Sequence, residues 1–468
     1  MAEERGQFSS RLGFILAAAG SAVGLGNLVA FPVMASKNGG AAFLIIYLFF
    51  IAFICYPVMM AEISMGRHTN RNPVGAFSQL SGGHKGWRLA GMLAILTPFM
   101  IAVFYTVITV WLVIYIKEIA TGGLEMLTSE SAFGEIVARP SLFGYLIGLL
   151  ILIFVILLGG VKGGIERLAR VLMPTLAIML VLLTLFVLTL DGAMAGIRYY
   201  LVPDFSQMNL SVVNGALSQA FFSLSLGMGI LITYGSYFSR EDNIAQSTRM
   251  VAIADTGIAF FAGLLILPAI FAFDPNTNTE DLSTSSVGLI FSFLPQIFLS
   301  MQAAVGYTGA SIVAIVFFTL VFFAALTSLV SIIEIPISCW IDELKLSRRK
   351  AVILQAGLLA LFAVPATMSL GISEFFTNFT SYGGVTKSFF DLVSDVFYET
   401  ILPFVGFTVC IFCAYRWKVS GLKSELVIGD STYEGSLIEK YINFALGTVI
   451  PLVLLVVFIS TVSQIYFA

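Results

Sequence analysis

Long apolar runs separated by short polar segments dominate the chain. A run of about 20 apolar residues is long enough to cross the hydrocarbon core of a bilayer as a helix. The pattern therefore predicts an all-α integral membrane protein with eleven transmembrane helices in the lipid bilayer. The predicted spans are residues 11 to 35, 42 to 66, 89 to 116, 142 to 159, 168 to 190, 212 to 238, 250 to 273, 303 to 341, 351 to 370, 386 to 415 and 437 to 467.

The first apolar run contains residues that a continuous membrane helix does not ordinarily carry. Gly20, Gly24, Gly26 and Asn27 lie inside the run, and Pro32 follows them. Loosened backbone is tolerated at this depth only where it is buried in protein or lines a cavity, so the stretch predicts a broken helix around a binding site. A second interpretation stays open, because Gly20 and Gly24 also have the GxxxG spacing of a helix-packing face.

A second interruption falls at the corresponding place in the sixth run. Residues 221 to 229 read FFSLSLGMG and contain two serines and two glycines. Two interrupted spans at matching positions of two halves indicate an inverted-repeat transporter. We therefore predict a 5+5 repeat with broken helices 1 and 6. Residues 11–190 would form the first repeat, residues 212–416 the second, and residues 437–467 an added eleventh helix.

Composition and charge agree with a membrane protein. Of the 468 residues, 58% are apolar and only 11% are charged. Positive residues are retained in the cytoplasm, and the alternation of Lys and Arg between loops predicts a cytoplasmic segment 1–10, an outer C-terminus and a cell inner or plasma membrane location. No nucleophile elbow, phosphate loop or metal-spaced histidine pair occurs. We therefore expect neither an enzyme nor a nucleic-acid partner, and the oligomeric state is open.

Two acidic residues lie inside predicted spans. Glu62 falls in the second span and Asp255 in the seventh, which are partners under the repeat. Each lies one to two helical turns from the cytoplasmic end of its run, so a side chain that extends to the interface is one interpretation. Charged residues inside a membrane are costly, and a functional role is therefore the default hypothesis.

Hydroxyl groups in two other spans add candidate ligands. Thr327 and Ser328 in the eighth span offer adjacent hard oxygens of the kind that cations such as sodium prefer, although such hydroxyls often bond to the preceding helical turn. Tyr105 lies well inside the third span. Tyrosines in membrane helices are often interface anchors, but a buried hydroxyl needs a partner, and a ligand is the alternative.

Five motifs in order resemble the neurotransmitter:sodium symporter family, and in particular its prokaryotic amino-acid branch. The similarity covers essentially the whole chain. It implies a sodium-coupled symporter that imports an amino acid by alternating access; a symporter for another small amine or organic solute, a transporter-fold sensor and a channel are the alternatives. The motifs are RLGFILAAAGSAVGLGN (residues 11–27), Tyr105 with Trp111, FFSLSLGMG (residues 221–229), FFAALTS (residues 322–328) and DELKLSR (residues 342–348).

The resemblance implies two sodium sites. A fixed carboxylate at Asp255 would do the electrostatic work of an anion beside sodium, so we expect no chloride requirement. The first site would use Ala22, Asn27, Ser223 and Asp255 together with the substrate carboxylate. The second would use the carbonyls of Gly20, Val23 and Ala324 and the hydroxyls of Thr327 and Ser328.

The resemblance also implies a substrate pocket between the two breaks and an inner gate. The substrate carboxylate would meet Tyr105 and the amides near Leu25 and Gly26. An inner gate would pair Arg5, in the segment 1–10, with Asp342. The other pocket residues would be Ser21, Ala22, Ile101, Phe221, Phe222 as a lid, Ser223, Ser225, Met228, Ser328, Leu329 and Ile332.

At the outer end the sequence departs from the family. Ala30 stands where the family usually has a gate arginine. In the tenth span Lys387, Asp391, Asp395 and Glu399 recur at four-residue steps, which predicts a single helical face. One hypothesis is that Lys387 supplies the missing gate charge. The other is a solvated face on an acidic outer vestibule.

Overall fold

The structure is a computed structural model that describes residues 6–129, 131–273 and 289–467. Helices account for nearly all regular structure in these ranges. In chain order they are α1 (Arg11–Ala22), α2 (Gly26–Lys37), α3 (Ala41–Thr69), α4 (Pro73–Leu80), α5 (Lys85–Ala120), α6 (Ala132–Val137), α7 (Leu142–Leu158), α8 (Val161–Val187), α9 (Ala193–Leu201), α10 (Leu210–Ser223), α11 (Ile230–Gly235), α12 (Ile244–Phe273), α13 (Phe291–Ser300), α14 (Gln302–Leu344), α15 (Arg348–Met368), α16 (Glu374–Thr377), α17 (Phe389–Arg416), α18 (Val419–Leu426) and α19 (Leu437–Tyr466).

Every predicted span contains helix. Within the described ranges, eight helices are long and apolar enough to cross a membrane, and the bent pair α1 and α2 makes a ninth. The fourth predicted span contains the shorter apolar helix α7, and the sixth contains α10 and α11. The all-helical membrane architecture is therefore confirmed, while the count of eleven and the 5+5 repeat stay predictions.

The first predicted break is present. Helix α1 begins at the N-cap Ser10, whose hydroxyl accepts from the Gly13 amide, and ends at Ala22. Val23 then adopts an extended conformation with ψ of 105°, and the axis of α2 is bent by 53° from that of α1. The break exposes backbone groups that a continuous helix would have paired.

The second predicted break lies between α10 and α11. Residues 224–229 form turns, with φ of 54° at Ser225, 76° at Gly227 and 67° at Gly229. The left-handed region favours glycine, which has no Cβ to clash. Two of the three positions are glycine, so the sequence accommodates this break locally.

Close packing holds the second break against α3. A Cβ added at Gly66 would lie 1.9 Å from the Ile232 carbonyl oxygen, and one added at Gly235 would lie 2.4 Å from the Ile63 oxygen. The two glycines therefore let the backbones of α3 and α11 approach closely, the arrangement that small residues permit between membrane helices. Helix α1 packs against α8, α12 and α14, which places the first break near the centre of the bundle.

One short β-hairpin interrupts the helical architecture. Its strands are Thr380–Tyr382 and Val385–Lys387, and they pair antiparallel. The hairpin directly precedes α17, whose first turn is closed by a capping box between Ser388 and Asp391. The prediction that Lys387 shares a helical face with the three acidic residues is therefore wrong, because the Ser388 cap starts the helix only at Phe389.

Candidate ion and substrate site

The two breaks meet in the interior. The Ser225 hydroxyl donates to the Ser21 carbonyl over 3.3 Å, and the Gln219 side-chain amide donates to the Gly26 carbonyl over 2.8 Å. Side chains of the second broken span therefore bond to backbone carbonyls on both sides of the first break. The glycine-rich stretch is consequently more than a packing face.

Asp255 lies at the centre of a buried polar cluster. Its carboxylate accepts from the Asn27 side-chain nitrogen over 2.7 Å and from the Ser223 hydroxyl over 2.8 Å. The Tyr47 hydroxyl lies 3.2 Å from the Ser223 hydroxyl. Asp255 is fully buried and, among the described residues, has no ion pair, so it does not extend to the interface. A buried carboxylate without a paired cation is a strong cation ligand.

The predicted first sodium set therefore comes together for three of its four residues. Asn27, Ser223 and Asp255 are in direct contact. Ala22 ends α1 and has a buried side chain. A carboxylate, a hydroxyl and a backbone carbonyl are hard oxygen donors that fit sodium, whereas Asn27 presents its side-chain nitrogen to Asp255 and Ser223.

The predicted second sodium set comes together in part. The Ser328 hydroxyl lies 3.4 Å from the Gly20 carbonyl oxygen and 3.1 Å from the Val23 oxygen, across the gap between α14 and the first break. The Thr327 hydroxyl bonds to the Ala324 carbonyl over 3.0 Å. Thr327 thus shows the expected back-bonding to its own helix, whereas Ser328 bridges two helices. The Ser328 hydroxyl and the Gly20 and Val23 carbonyls are neutral oxygens that fit a sodium ion, while the Thr327 hydroxyl and the Ala324 carbonyl stay predicted ligands.

Tyr105 contacts the first break where a substrate carboxylate is predicted. Its hydroxyl accepts from the Leu25 amide over 3.0 Å. A Cβ added at Gly24 would lie 2.7 Å from the Tyr105 hydroxyl and 2.6 Å from the Ser328 hydroxyl, so glycine is required there by close approach. Tyr105 is buried and is not an interface anchor.

The Phe222 ring packs against the same break at Gly26. A Cβ at Gly26 would lie 2.8 Å from its ring, and the ring packs edge to face on Tyr398 with centroids 4.4 Å apart. Phe221 instead packs against Gly406 of α17, where an added Cβ would lie 2.1 Å from the ring. The geometry is consistent with Phe222 as the lid and gives Phe221 a packing role.

The other predicted pocket residues are all buried. The Ser21 hydroxyl has no hydrogen-bond partner among the described residues, so it is available to a ligand. The apolar members are Ile101, Met228, Leu329 and Ile332.

Glu62 braces the second break. One of its carboxylate oxygens accepts from the Gly227 amide over 2.9 Å, and the other is buried with no partner among the described residues. The side chain is fully buried, so it does not extend to the interface as one interpretation held. Its position makes it a support for the loosened backbone of residues 224–229.

Replacing Glu62 tests this supporting role. In Glu62→Ala the Gly227 amide loses its acceptor, and a buried unpaired amide costs about 1–3 kcal/mol. We expect a clearly lower unfolding temperature in Glu62→Ala, measured by fluorescence in detergent. Glu62→Gln keeps a carbonyl acceptor and is the matched control. Equal stability of the Ala and Gln variants would contradict the role.

A buried ion pair that the sequence pattern did not predict joins α14 to the start of α15. Glu334 is fully buried and receives two hydrogen bonds from the Arg348 guanidinium, over 3.0 and 2.7 Å. The Tyr237 hydroxyl donates to the same carboxylate. Glu334 lies inside the eighth predicted span, so the rule that singled out Glu62 and Asp255 could have found it.

Of the two residues predicted to form the inner gate, the structure describes only Asp342. Asp342 accepts from the backbone and side-chain nitrogens of Asn72 over 2.9 and 3.0 Å. Arg5 lies outside the described residues, so the pairing of Arg5 with Asp342 stays a prediction.

A cavity of about 900 Å³ lies beside Phe222, the residue predicted to be the lid. Ala30, Phe222, Asp395 and Glu399 are among the residues that line it. The wall of this cavity therefore carries two acidic side chains beside Ala30, the position at which the family resemblance led us to expect an arginine. Lys387 reaches this wall from the hairpin and pairs with Asp395 over 2.9 Å.

Lys387→Ala tests whether this lysine is a gate charge. The pair is partly exposed, at 24% and 18%, and such pairs contribute roughly 0–1 kcal/mol. Because the Tyr382 hydroxyl also donates to Asp395, we expect a stability loss below about 1 kcal/mol and unchanged sodium-dependent binding. Faster labelling of a cysteine introduced at Ala30 would instead support the gate hypothesis.

Comparison with known proteins identifies the family. The model of the Sodium:neurotransmitter symporter family matches residues 5–133 and 124–467. The chain belongs to this family. An uncharacterized sodium-dependent transporter of Bacillus subtilis is 31% identical over 467 residues, which is 98% of each chain. One from Methanocaldococcus jannaschii is 33% identical, over 86% of this chain and 80% of its own.

A solved structure agrees with the family assignment. The crystal structure of MhsT in complex with L-phenylalanine matches with a TM-score of 0.83 and 37% sequence identity, covering 98% of this chain and 100% of that one. This member of the sodium:neurotransmitter symporter family is therefore a multi-pass membrane protein and a sodium-coupled symporter of a small-molecule substrate. The resemblance that the motifs indicated is confirmed.

Proposed function

We propose that this symporter imports an amino acid together with two sodium ions and without chloride. One observation carries the proposal: the two helix breaks meet in the interior, with Asp255 of α12 on one side and Ser328 of α14 on the other. Each of these residues adds oxygens that suit a cation. The Tyr105 hydroxyl and the Leu25 amide lie beside them. A zwitterion placed here would meet donors at its carboxylate end and backbone carbonyls of the broken helices at its amino end.

The substrate side chain is expected to be apolar. Ile101, Met228, Leu329 and Ile332 are all buried around the breaks, and Ser21 adds a hydroxyl without a partner. MhsT was crystallised with L-phenylalanine, which supports an amino acid of this kind as the first candidate. Symport of another small amine or organic solute is the alternative within the same fold.

Alternating access would move the substrate inward. The N-terminus would lie in the cytoplasm, and the membrane would be the inner or plasma membrane. Entry of sodium into a negative interior releases about 2.3 kcal/mol per charge per 100 mV, so two ions concentrate a substrate strongly. Opening of the inner side would separate Asp342 from its partners.

A thermal-shift screen across the amino acids and related amines tests the proposal. A ligand that binds the native state raises the unfolding temperature by mass action. We expect apolar amino acids to stabilise the detergent-solubilised protein in sodium chloride and not in potassium chloride. Stabilisation that is equal in the two salts, or restricted to non-zwitterionic amines, would contradict amino-acid symport.

A further inference from the structure

The Asn27 side chain has a defined orientation. Its oxygen accepts from the Gly24 amide over 3.1 Å. Its nitrogen donates to the Asp255 carboxylate over 2.7 Å and contacts the Ser223 hydroxyl at 2.9 Å. A backbone amide can only donate and an ionised carboxylate can only accept. The chemistry of the partners therefore fixes which end of the Asn27 amide faces Asp255.

This orientation is incompatible with a cation bound by Asn27. The amide nitrogen of Asn27 carries two hydrogens and cannot coordinate sodium, yet it faces the carboxylate and hydroxyl oxygens of Asp255 and Ser223. The NH₂ group donates to the same carboxylate oxygen that a cation at Asp255 would need. Sodium coordination by Asn27 requires its amide to rotate by half a turn.

Rotation has a consequence for the first break. It would turn the Asn27 nitrogen toward the Gly24 amide. Both groups are donors and cannot bond to each other, so the Gly24 amide would lose its acceptor. Gly24 lies against the Tyr105 hydroxyl, which in turn accepts from the Leu25 amide. The released Gly24 donor is thus next to the groups proposed to bind the substrate carboxylate.

We propose that rotation of the Asn27 amide couples the first sodium ion to the substrate. Sodium displaces the Asn27 nitrogen from Asp255, and the freed Gly24 amide donates to the substrate carboxylate. This inference rests on the proposed function, and Asn27 is the residue that would position both the first sodium ion and the substrate. Since the Gly24 amide would otherwise stay buried and unpaired, this step should raise substrate affinity in sodium by about tenfold. Substrate must raise sodium affinity by the same factor.

Nuclear magnetic resonance on the full chain in detergent tests the rotation with sodium chloride alone as the probe. Asparagine labelled with ¹⁵N reports the Asn27 NH₂ group, identified by its absence in Asn27→Asp or Asn27→Gln. Carbonyl-labelled valine with ¹⁵N-glycine reports the pair Val23 and Gly24, identified by its absence in Val23→Ile. Asn243 is the matched control, because its oxygen also accepts from a backbone amide and its side chain bonds to Asp430 far from the site.

Replacement of potassium by sodium is expected to shift both the Asn27 and Gly24 signals and to leave the Asn243 signal in place. A parallel thermal shift shows whether sodium binds. Sodium-dependent stabilisation with unmoved Asn27 and Gly24 signals would overturn the rotation and leave the proposed function intact. Absence of any sodium-dependent stabilisation would overturn the proposed function, and the inference with it.

Discussion

Thr327→Ala combined with Ser328→Ala is expected to raise the sodium concentration needed for half-maximal substrate binding by at least about tenfold. The double variant removes both hydroxyls of the predicted second sodium set: that of Ser328, which bonds to the first break, and that of the adjacent Thr327, which bonds to its own helix. Ser328 bridges to the Ser21 carbonyl over 3.0 Å as well as to Gly20 and Val23. Losing a bond to a charged group costs about 1.5–3 kcal/mol. Sodium titration of ligand binding measures the effect.

A matched control separates ion binding from helix stability. Thr367 in α15 is buried, and its hydroxyl bonds to the Ala363 carbonyl over 2.8 Å, one turn back in its own helix. Thr367→Ala therefore removes a similar hydroxyl away from the site and should leave the sodium titration unchanged. If the double variant gave the same sodium titration as the wild-type protein, the proposal of a second sodium site would be rejected.

Asp255→Asn is expected to weaken sodium-coupled uptake strongly and to make the remaining uptake chloride-sensitive. The substitution keeps the size of the side chain and removes the only charge in the cluster with Asn27 and Ser223. Loss of a charged ligand from a buried site costs roughly 2–4 kcal/mol, or about 30- to 1,000-fold in affinity. A mobile anion can restore part of the lost charge, so chloride should improve uptake by the variant.

Asp391→Asn is the control for this substitution. Asp391 belongs to the capping box of α17, and its loss should weaken the helix start by about 1 kcal/mol without a chloride effect. Uptake is compared in chloride and gluconate media for the wild-type protein and both variants. Full uptake by Asp255→Asn in chloride-free medium would show that Asp255 does not replace the anion.

The helical breaks were predictable because their cause is local. Glycines, serines and Asn27 inside apolar runs have no good place in a continuous membrane helix, and both runs break where these residues lie. Glu62 and Asp255 were predictable as functional candidates for a similar reason, since burial of an acid is costly. Their partners were not, because the bonds from Glu62 to Gly227 and from Asp255 to Asn27 join residues far apart in the sequence.

Two features were not predicted correctly from the sequence: the helical face from Lys387 to Glu399, and the buried acid Glu334. The four-residue steps from Lys387 to Glu399 matched a helix, but Ser388 is a strong N-cap and the preceding residues pair as a hairpin. Glu334 is an acid inside a long apolar run, so its burial was predictable by the same rule as that of Glu62 and Asp255, but its bond to Arg348 was not. In both cases the sequence pattern was local, while the structure depends on contacts that the pattern does not contain: the strand pairing before α17 and the Glu334–Arg348 ion pair.

Uptake into proteoliposomes under an imposed sodium gradient tests the central claim most directly. Purified protein is reconstituted, and accumulation of the amino acid found by the thermal-shift screen is followed with sodium outside, with equal sodium on both sides, and with potassium only. Symport predicts accumulation above the outer concentration only under the inward sodium gradient. Equilibration to the same level in all three conditions, or flux at channel rates, would contradict sodium-coupled symport at the two helix breaks.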